Sequence, residues 1–202
     1  MKNFNERSRA AYDRKADGYD ESREGRFTRN FQRLLLSEMK WRENDCVLDI
    51  ACGTGSLLAA INGRTGIRGF GVDISERMIM NASVKNPGMA FQVSGCESIP
   101  FQSGTMDIVV VCAAYHHFPD VKAFAAESER LLKRHGKIYV AELHIPSFIR
   151  VPLNPFVPAI FKDGDVRLYS PAEIVRNFAK FGFYEPNVKI AAGIQIVSMR
   201  KA

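Results

Sequence analysis

The sequence predicts an α/β fold, a doubly wound sheet of seven mostly parallel strands that ends in an antiparallel hairpin. Short apolar runs alternate along the chain with segments of helical periodicity, which is typical of parallel strands joined by helical crossovers. The first apolar run ends at residue 50 and leads into a Gly-x-Gly turn at residues 53–55, with a helical segment directly after it. This order of strand, glycine turn and helix places a ligand against a helix N-terminus.

Residues 1–40 are expected to form a helical lid over the rest of the domain. Their first part, residues 4–24, is polar and rich in charge, but it also contains aromatic residues that include Tyr12 and Tyr19. Between residues 27 and 39 apolar side chains recur at helical spacing, so we predict an amphipathic helix there. Tyr12 and Tyr19 are expected to close over a ligand, and the alternative is that they only anchor the lid.

Residues 41–142 are expected to form the core that binds the ligand. Predicted strands and helices alternate in this region, and the order of its motifs puts the first three strands on one side of the topological switch. The fourth and fifth strands lie on the other side, so a ligand binds near the carboxyl ends of the first and fourth strands. The predicted strands are 46–50, 68–73, 89–94, 106–112 and 136–142, and the predicted helices are 56–63, 76–84 and 121–133.

Residues 143–170 interrupt this alternation. Four prolines between residues 146 and 158 prevent a long regular helix, and apolar side chains are frequent in the same segment. We therefore expect a long irregular loop that covers the substrate. A packed connector and a dimer contact are the alternatives.

Residues 171–202 are expected to form a helix and a terminal hairpin. Ser170 has the character of an N-cap, a proline suits the first helical position, and Glu173 completes a capping box. The helix is predicted to end near residue 181, before Gly182. The two final strands, predicted to pair at the edge of the sheet, are 184–190 and 194–200.

The first and second strands each end with an acidic residue next to a turn. Asp49 precedes the glycine turn, and Asp73 closes the second strand. The dinucleotide fingerprint requires a third glycine, but Leu58 stands in that place, and the chain has no P-loop sequence. A carboxylate at Asp49 repels phosphates and suits a cationic or hydroxyl-bearing ligand, and Asp73 is placed to accept ribose hydroxyls. The alternatives are an N-cap role for Asp73 and a turn-stabilising role for Asp49.

An ordered set of motifs extends along most of the chain. Its members are A-A-Y-D-R-K-A-D-G-Y-D at 10–20, D-I-A-C-G-T-G at 49–55, V-D at 72–73, E-S-I-P-F at 97–101, H-H-F at 116–118 and L-L-K-R-H-G-K-I at 131–138. In this order the motifs resemble those of the class I S-adenosylmethionine-dependent methyltransferases, which have a Rossmann-like fold. The chain is most similar to the small-molecule group, methyltransferase type 11, which includes the ubiquinone/menaquinone-biosynthesis-like enzymes. The resemblance is continuous over residues 10–142 and looser over the last part of the chain.

The resemblance implies S-adenosylmethionine as the cofactor and S-adenosylhomocysteine as the product. It implies that Asp73 binds the ribose and that Asp49 lies near the amino group of the methionine portion. Cys96 and Glu97 are expected to offer backbone contacts to the adenine, and the alternative is a plain turn before Pro100. The expected cofactor-binding residues are Asp49, Ala51, Gly53, Gly55, Asp73, Ile74, Met78, Cys96, Glu97, Ala113 and Tyr19.

Gly95 departs from the pattern of these enzymes. Two residues before the glutamate of the E-x-[LI]-P-F loop they usually carry an aspartate that binds the adenine amino group, and glycine has no side-chain acceptor. The lost hydrogen bond costs about 0.5–1.5 kcal/mol, which weakens cofactor binding roughly tenfold. A catalytically weak or inactive cofactor-binding homologue is therefore an alternative to an active enzyme.

His116 and His117 are the expected catalytic residues, because they follow the fourth strand and at least one of them borders the pocket. A histidine with a near-neutral pKa can act as a general base, and the alternative is structural packing. Tyr115, Glu142 and His144 are further candidate bases at the same rim. We expect no metal site, since none of the four cysteines belongs to a C-x-x-C motif.

The charge and hydropathy of the chain favour a cytoplasmic protein with a small-molecule acceptor. The net charge of +6 comes from basic residues scattered among acidic ones, which indicates a solvated surface more than a nucleic-acid site. An RNA methyltransferase is the alternative that this mild basic bias leaves open. No apolar stretch approaches the length of a membrane span, and the N-terminus is too polar for a signal peptide. The oligomeric state is left open.

Overall fold

A single sheet of seven strands forms the centre of the protein, of which the computed structural model describes residues 4–202. In chain order the strands are β1 (Cys46–Ile50), β2 (Arg68–Asp73), β3 (Ala90–Val93), β4 (Met106–Cys112), β5 (Leu132–Leu143), β6 (Phe183–Ala191) and β7 (Ile194–Lys201). They lie in the order β3-β2-β1-β4-β5-β7-β6. The first five strands are parallel, and β7 is antiparallel to both of its neighbours. The predicted doubly wound sheet with an antiparallel C-terminal hairpin is confirmed.

Helices cover both faces of this sheet. In chain order they are α1 (Phe4–Lys15), α2 (Arg23–Glu38), α3 (Ser56–Asn62), α4 (Glu76–Lys85), α5 (Val121–Leu131), α6 (Ser147–Leu153), α7 (Val157–Ile160) and α8 (Pro171–Ala179). Short 3-10 turns lie at Tyr19–Glu21, Tyr115–His117 and Asn154–Phe156. Within residues 4–202, no helix combines the length and the apolar character that crossing a membrane requires.

Two apolar layers, one on each face of the sheet, hold the helices in place. Successive side chains of a strand point to opposite faces, so Leu48 of β1 lies in one layer and Val47 in the other. α5 and α8 pack in the first layer through Phe124 and Phe178, and α2 packs in the second through Leu35. All residues of β1 are buried, as expected for a central strand of a parallel sheet.

The helices that follow β1 and β4 lie against opposite faces of the sheet. Leu58 of α3 belongs to one apolar layer, and Phe124 of α5 belongs to the other. A crevice opens between the carboxyl ends of two neighbouring strands when their connections leave in opposite directions. Asp49 of β1 pairs in register with Val110 of β4, so Asp49 lies at the floor of this crevice.

Capping and strand pairing shift several boundaries from those predicted. α2 begins before the predicted residue 27, because the Ser22 hydroxyl accepts a hydrogen bond from a first-turn amide and caps the helix. The helix predicted over residues 121–133 ends at Leu131, since Leu132 already pairs with Met106 of β4. β5 therefore starts earlier than the predicted residue 136.

The segment 143–170 is partly helical, which corrects the prediction of a long irregular loop. It contains α6 and α7, joined by the turn at Asn154–Phe156. Pro155 and Pro158 occupy the first turns of their helical segments, where a missing N–H removes no hydrogen bond. The prolines shorten the helices, as predicted, without preventing them.

The C-terminal region follows its prediction closely. The Ser170 hydroxyl accepts from the Glu173 amide, and the Glu173 carboxylate accepts from the Ser170 amide, so the predicted capping box at α8 is present. α8 ends at Ala179, slightly before the predicted residue 181, and Gly182 follows with φ of +79°. β6 and β7 pair as the predicted hairpin, with β6 at the edge of the sheet.

Candidate functional site

A cleft of about 580 Å³ lies at the carboxyl ends of β1, β2 and β4, where the strand order predicts a ligand site. A smaller hollow of about 370 Å³ adjoins it and shares Ala51, Asp73 and His117 with it. We refer to the first as the central cleft and to the second as the side hollow. The expected cofactor-binding residues that line the central cleft are Tyr19, Asp49, Ala51, Gly53, Asp73, Met78 and Ala113.

The two glycines of the turn after β1 have different surroundings. Both adopt positive φ, +52° at Gly53 and +75° at Gly55, which favours glycine. A Cβ on Gly53 would come no nearer than 4.0 Å to Met78, so the space beside Gly53 is open. A Cβ on Gly55 would lie 2.8 Å from Asn86 and 3.1 Å from Phe91. The expectation that Gly55 lets a ligand approach is therefore corrected, because its missing side chain makes room for the protein itself.

The side hollow brings together residues expected to contact adenine. Of the two residues with that expected role, Cys96 lines the side hollow, together with Ile74 and Gly95, whereas Glu97 lines neither the side hollow nor the central cleft. A Cβ on Gly95 would lie 3.0 Å from Glu97 Oε2. The Glu97 carboxylate thus occupies the space into which a larger side chain at position 95 would extend.

Asp49 is a buried carboxylate with an unsatisfied oxygen. Its residue is 2% exposed, and Oδ1 has no hydrogen-bond partner among the described residues. Burial, together with the charge of Asp73, raises the pKa of Asp49 well above the usual value. A buried acceptor without a donor is costly, so the arrangement favours a ligand that brings a donor or a positive charge into the central cleft.

Asp73 joins the glycine turn to the start of α4. Its Oδ2 accepts from the Gly53 amide and its Oδ1 accepts from the Ser75 amide, both at 2.9 Å. Burial raises the pKa of Asp73, although these two N–H donors offset part of that effect. Ser75, and not Asp73, is the N-cap of α4, because the Ser75 hydroxyl accepts from the Met78 amide. The alternative role of Asp73 as an N-cap is thereby corrected.

The lid is fastened over the glycine turn by side-chain hydrogen bonds. Thr54 Oγ1 donates to Asp20 Oδ1 at 2.7 Å, and Ser75 Oγ donates to Asp13 Oδ1 at 2.6 Å. Tyr19 Oη lies 3.3 Å from Thr28 Oγ1 of α2. The first contact holds the turn at Tyr19–Glu21 across the central cleft, and the second holds α1 against α4.

A third and larger space, of about 1000 Å³, opens on the other side of the two lid tyrosines. We call it the large cavity. It shares Tyr12, Tyr19, Thr28, Ala113 and His117 with the central cleft, so the two spaces are adjacent. Its wall is mixed in character: the apolar lining residues are Phe27, Phe31, Leu143, Ile145, Phe161 and Leu168, and the ionisable ones include Glu24, His116, Glu142, Asp163 and Asp165.

His116 is held between two carboxylates in the wall of the large cavity. Its Nδ1 lies 2.7 Å from Glu142 Oε2, and its Nε2 lies 3.5 Å from Asp165 Oδ1. Burial disfavours the imidazolium, but the charges of Glu142 and Asp165 outweigh burial, so the pKa of His116 is raised. The imidazolium form is therefore favoured more at His116 than in an ordinary histidine.

His117 is the neutral member of the pair. Burial, reinforced by the neighbouring charge of His116, lowers the pKa of His117 well below its usual value, against an opposing contribution from the Gly164 carbonyl. Its Nε2 lies 3.0 Å from Tyr12 Oη. Within residues 4–202, no atom satisfies both the distance and the angle of a hydrogen bond to His117 Nδ1. The His116 and His117 ring centroids are only 4.1 Å apart, yet their surroundings shift the two pKa values in opposite directions.

Two of the further candidate bases do not reach the site. Tyr115 is fully buried among aromatic rings, its hydroxyl accepts from Asn177, and burial raises its pKa. His144 pairs with Gln195 and lines none of the three spaces. Glu142, by contrast, lines the large cavity. Sequence reasoning missed Asp165, which carries no motif of its own and approaches the histidines only after the chain has folded.

Comparisons with known proteins point to one group. Residues 48–140 match a family model described as a methyltransferase domain, Methyltransf_11. The ubiquinone/menaquinone biosynthesis C-methyltransferase UbiE of Geotalea uraniireducens is 25% identical over 189 residues, which cover 85% of this chain and 79% of that protein. The demethylmenaquinone methyltransferase of Thermotoga maritima is 27% identical over 222 residues, which cover 92% of this chain and 93% of that protein.

A solved structure shares the fold along nearly the whole chain. It is the complex of the Haloferax volcanii Trm112 methyltransferase activator with a putative methyltransferase. The TM-score is 0.79 at 24% sequence identity, and the alignment covers 94% of this chain and 96% of that chain. At this level of identity the likeness supports the fold alone.

Proposed function

We propose that the chain is a methyltransferase, as its match to the methyltransferase family model over residues 48–140 indicates, and that it transfers a methyl group from S-adenosylmethionine to a small-molecule acceptor. S-adenosylmethionine supplies an electrophilic methyl group on its sulfonium and becomes S-adenosylhomocysteine when the methyl group leaves. The observation that carries the proposal is Asp49, a buried residue that lines the central cleft and has an oxygen without a hydrogen-bond partner among the described residues. A buried oxygen without a partner favours binding of a positively charged hydrogen-bond donor, and the amino group of the cofactor is such a donor.

Asp49 is the proposed partner of that amino group. A buried carboxylate without a partner favours protonation, whereas a bound ammonium favours the ionised form. The contact would be a charge-assisted hydrogen bond, which is about twice as strong as a neutral one. Asp49 would therefore contribute to affinity by exchanging a proton for a bound cation.

Asp73 is the proposed ribose ligand. Each of its oxygens already accepts one backbone N–H, but a carboxylate has about four acceptor positions. One position on each oxygen is therefore free for a ribose hydroxyl. Because Asp73 lines both the central cleft and the side hollow, a ribose bound there would direct the methionine portion towards Asp49 and the adenine towards the side hollow.

Glu97 is the proposed acceptor for the adenine amino group in place of an aspartate at position 95. Its carboxylate already lies beside Gly95, which lines the side hollow. A small movement of the Glu97 side chain would bring an oxygen to the hollow without a change in the backbone. Glu97 would then compensate for the missing acceptor at Gly95.

The acceptor molecule is proposed to occupy the large cavity. Its apolar lining residues suit a molecule with a hydrophobic body, and the shared His117 places its reacting end next to the central cleft. Neutral His117 is available to take a proton from the acceptor, while protonated His116 can stabilise a developing negative charge. The segment 161–168 and the lid both line the large cavity, so both would exclude water during transfer.

Calorimetric titration with S-adenosylmethionine and with S-adenosylhomocysteine tests the proposal. We expect both to bind with micromolar affinity. Absence of binding at millimolar ligand would contradict the methyltransferase proposal and would favour a protein that has kept the fold for another purpose. If binding is found, phenols, amines and carbon acids that carry an apolar group are tested as acceptors. The class of compound that causes release of S-adenosylhomocysteine identifies the class of acceptor.

A further inference from the structure

We infer that His116, His117 and Asp165 form a binding site for a divalent transition-metal ion in the wall of the large cavity. Each of the three offers one ligand atom, and these atoms all lie within 4.8 Å of one another. Two imidazole nitrogens and one carboxylate oxygen suit ions such as Zn²⁺, Co²⁺ and Fe²⁺. Mg²⁺ and Ca²⁺ prefer sites built from oxygen ligands, so they fit this set less well.

The distances within the cluster are close to those that a single ion requires. His116 Nε2 lies 3.5 Å from Asp165 Oδ1, and His117 Nδ1 lies 4.0 Å from Asp165 Oδ2. Ligand atoms at about 2.0–2.1 Å from a tetrahedral zinc ion are separated by roughly 3.4 Å. Since no two of the three ligand atoms are more than 4.8 Å apart, side-chain shifts of about an ångström would complete the coordination.

Each histidine has a second partner that leaves the required nitrogen free. His116 Nδ1 lies 2.7 Å from Oε2 of Glu142, whose residue is 2% exposed, and in the neutral tautomer that donates to Glu142 the lone pair is on Nε2, the nitrogen nearest Asp165. His117 Nε2 lies 3.0 Å from Tyr12 Oη, and in the tautomer that donates to this hydroxyl the lone pair is on Nδ1. A carboxylate or hydroxyl behind the imidazole is the usual support of a metal-binding histidine.

The unpartnered His117 Nδ1 distinguishes a metal site from a plain ionic cluster. In a plain ionic cluster, Glu142 and Asp165 neutralise a protonated His116, so this histidine needs no metal ion. Such a cluster leaves His117 Nδ1 buried and unsatisfied by hydrogen-bond geometry among the described residues, on a side chain that is 11% exposed. A bound ion would satisfy this nitrogen, and it would release the proton from His116.

The segment that carries Asp165 is fastened in place, so the site is largely formed in advance. The Val166 amide donates to the His116 carbonyl at 2.8 Å. Lys15 of α1 pairs with Asp163 at 2.6 Å, and Ser8 of α1 donates to the Asp163 carbonyl at 2.9 Å. These contacts fix the residues on both sides of Asp165 to the histidine turn and to the lid.

The proposed site has room for a further ligand. Three protein ligands leave at least one coordination position open, as in catalytic zinc sites. The cluster lines the large cavity, so an oxygen or nitrogen anion of a bound molecule could take that position. Ion binding by itself does not depend on the proposed methyl transfer, although His116 and His117 would then act on an acceptor through the ion.

Cobalt titration of chelator-treated protein tests the inference. We expect one equivalent of Co²⁺ to bind with visible d–d absorption and to be displaced by Zn²⁺. Asp165→Asn should weaken Co²⁺ binding at least about tenfold, and Glu142→Gln should weaken it by roughly 10–100-fold through its hold on His116. Asp120→Asn is the control, because it removes the same charge at a residue that lines none of the three spaces, and its Co²⁺ affinity should equal that of the unmodified chain.

Several results would overturn the inference. These are the absence of a Co²⁺ spectrum at one equivalent, equal affinity in the Asp165→Asn and Asp120→Asn variants, or a strong thiolate charge-transfer band that reports cysteine ligands. Circular dichroism verifies that each variant is folded, and His117→Gln replaces Asp165→Asn if the latter is not. S-adenosylhomocysteine binding is measured on the same chelator-treated protein, so failure of the metal site and failure of the proposed function are separate outcomes.

Discussion

Asp49 and Asp73 are buried carboxylates at the ends of neighbouring strands, yet their surroundings give them different properties. Asp73 accepts two backbone N–H groups, whereas Asp49 Oδ1 has no donor within the described part of the chain. Both positions could be predicted from sequence, because an acidic residue at a strand end next to a glycine turn is a local pattern. Asp165 could not, since only the folding of the segment 143–170 onto the histidines brings it to the site.

Asp73→Asn should lower the affinity for S-adenosylhomocysteine by roughly 10–100-fold, because hydrogen bonds to a charged group are worth about 1.5–3 kcal/mol. Calorimetric titration measures this loss. Asp120→Asn is a matched control: Asp120 also accepts two backbone N–H groups, at the start of α5, and it lines none of the three spaces. Equal affinities in the two variants would contradict the assignment of Asp73 to the ribose.

Acidification should weaken the binding of S-adenosylhomocysteine. The loss should begin at a higher pH than the one at which an ordinary carboxylate becomes protonated. The pKa of Asp49 is raised by burial and by Asp73, so the free protein keeps a proton there up to a higher pH than an ordinary carboxylate does, and below that pKa the bound ammonium must displace it. Binding therefore strengthens as pH rises through this pKa and then levels. Titrations in buffers of different ionisation enthalpy measure the released proton, and Asp49→Asn should abolish the release.

Asp49→Asn should affect the stability of the ligand-free protein differently from its affinity for S-adenosylhomocysteine. The affinity should fall, whereas the free energy of unfolding should not. A carboxyl group with a raised pKa binds more protons in the folded state than in the unfolded state, so its contribution to stability is lost as pH rises. Removing the charge should therefore leave the ligand-free protein equally or more stable at neutral pH. A large loss of thermal stability in this variant would show that Asp49 has a partner in the folded protein.

At the scale of secondary-structure elements, the lid is the part whose contacts are the most polar and exposed. Asp20 accepts from Thr54 and pairs with Lys85, and these contacts close the turn at Tyr19–Glu21 over the central cleft. Sequence periodicity predicted that helices exist here, because apolar spacing is a local property. It missed where α2 begins and α5 ends, because capping by Ser22 and pairing of Leu132 with Met106 decide those boundaries.

Asp20→Ala should loosen the lid without unfolding the core. Exposed ion pairs contribute little to stability, about 0–1 kcal/mol, so the free energy of unfolding should change only slightly. Amide hydrogen exchange of residues 4–21 should become faster, and S-adenosylhomocysteine should dissociate faster. Glu21→Ala, which removes the neighbouring carboxylate, should leave the exchange rates unchanged. Identical exchange in both variants would contradict the role of Asp20 as the fastening point.

At the scale of the whole molecule, the sheet could be predicted from sequence and the spaces between its loops could not. The strands β1 and β4 can be recognised in the sequence as apolar runs, because both of their faces are buried. The large cavity depends on contacts such as that of Ser8 with the Asp163 carbonyl, which joins residues 155 positions apart. Pattern reasoning therefore located the carboxyl ends of the strands, and only the folded chain defined the acceptor side.

S-adenosylhomocysteine should stabilise the folded chain as a whole. A ligand at one hundred times its dissociation constant adds about 2.7 kcal/mol, which corresponds to a rise in Tm of roughly 5–10 °C for a domain of this size. Differential scanning fluorimetry measures the shift. NADP⁺ should give no shift, since its phosphates would meet the negative charges of Asp49 and Asp73. A larger shift with NADP⁺ would favour a dinucleotide site.

The most direct test is the crystal structure of the protein with S-adenosylhomocysteine bound. The account predicts the ribose hydroxyls within hydrogen-bond distance of Asp73, the amino group on Asp49 Oδ1, and the adenine in the side hollow beside Gly95 and Glu97. A ligand bound elsewhere, or an Asp73 that contacts only its own backbone while the ribose lies against other residues, would contradict it.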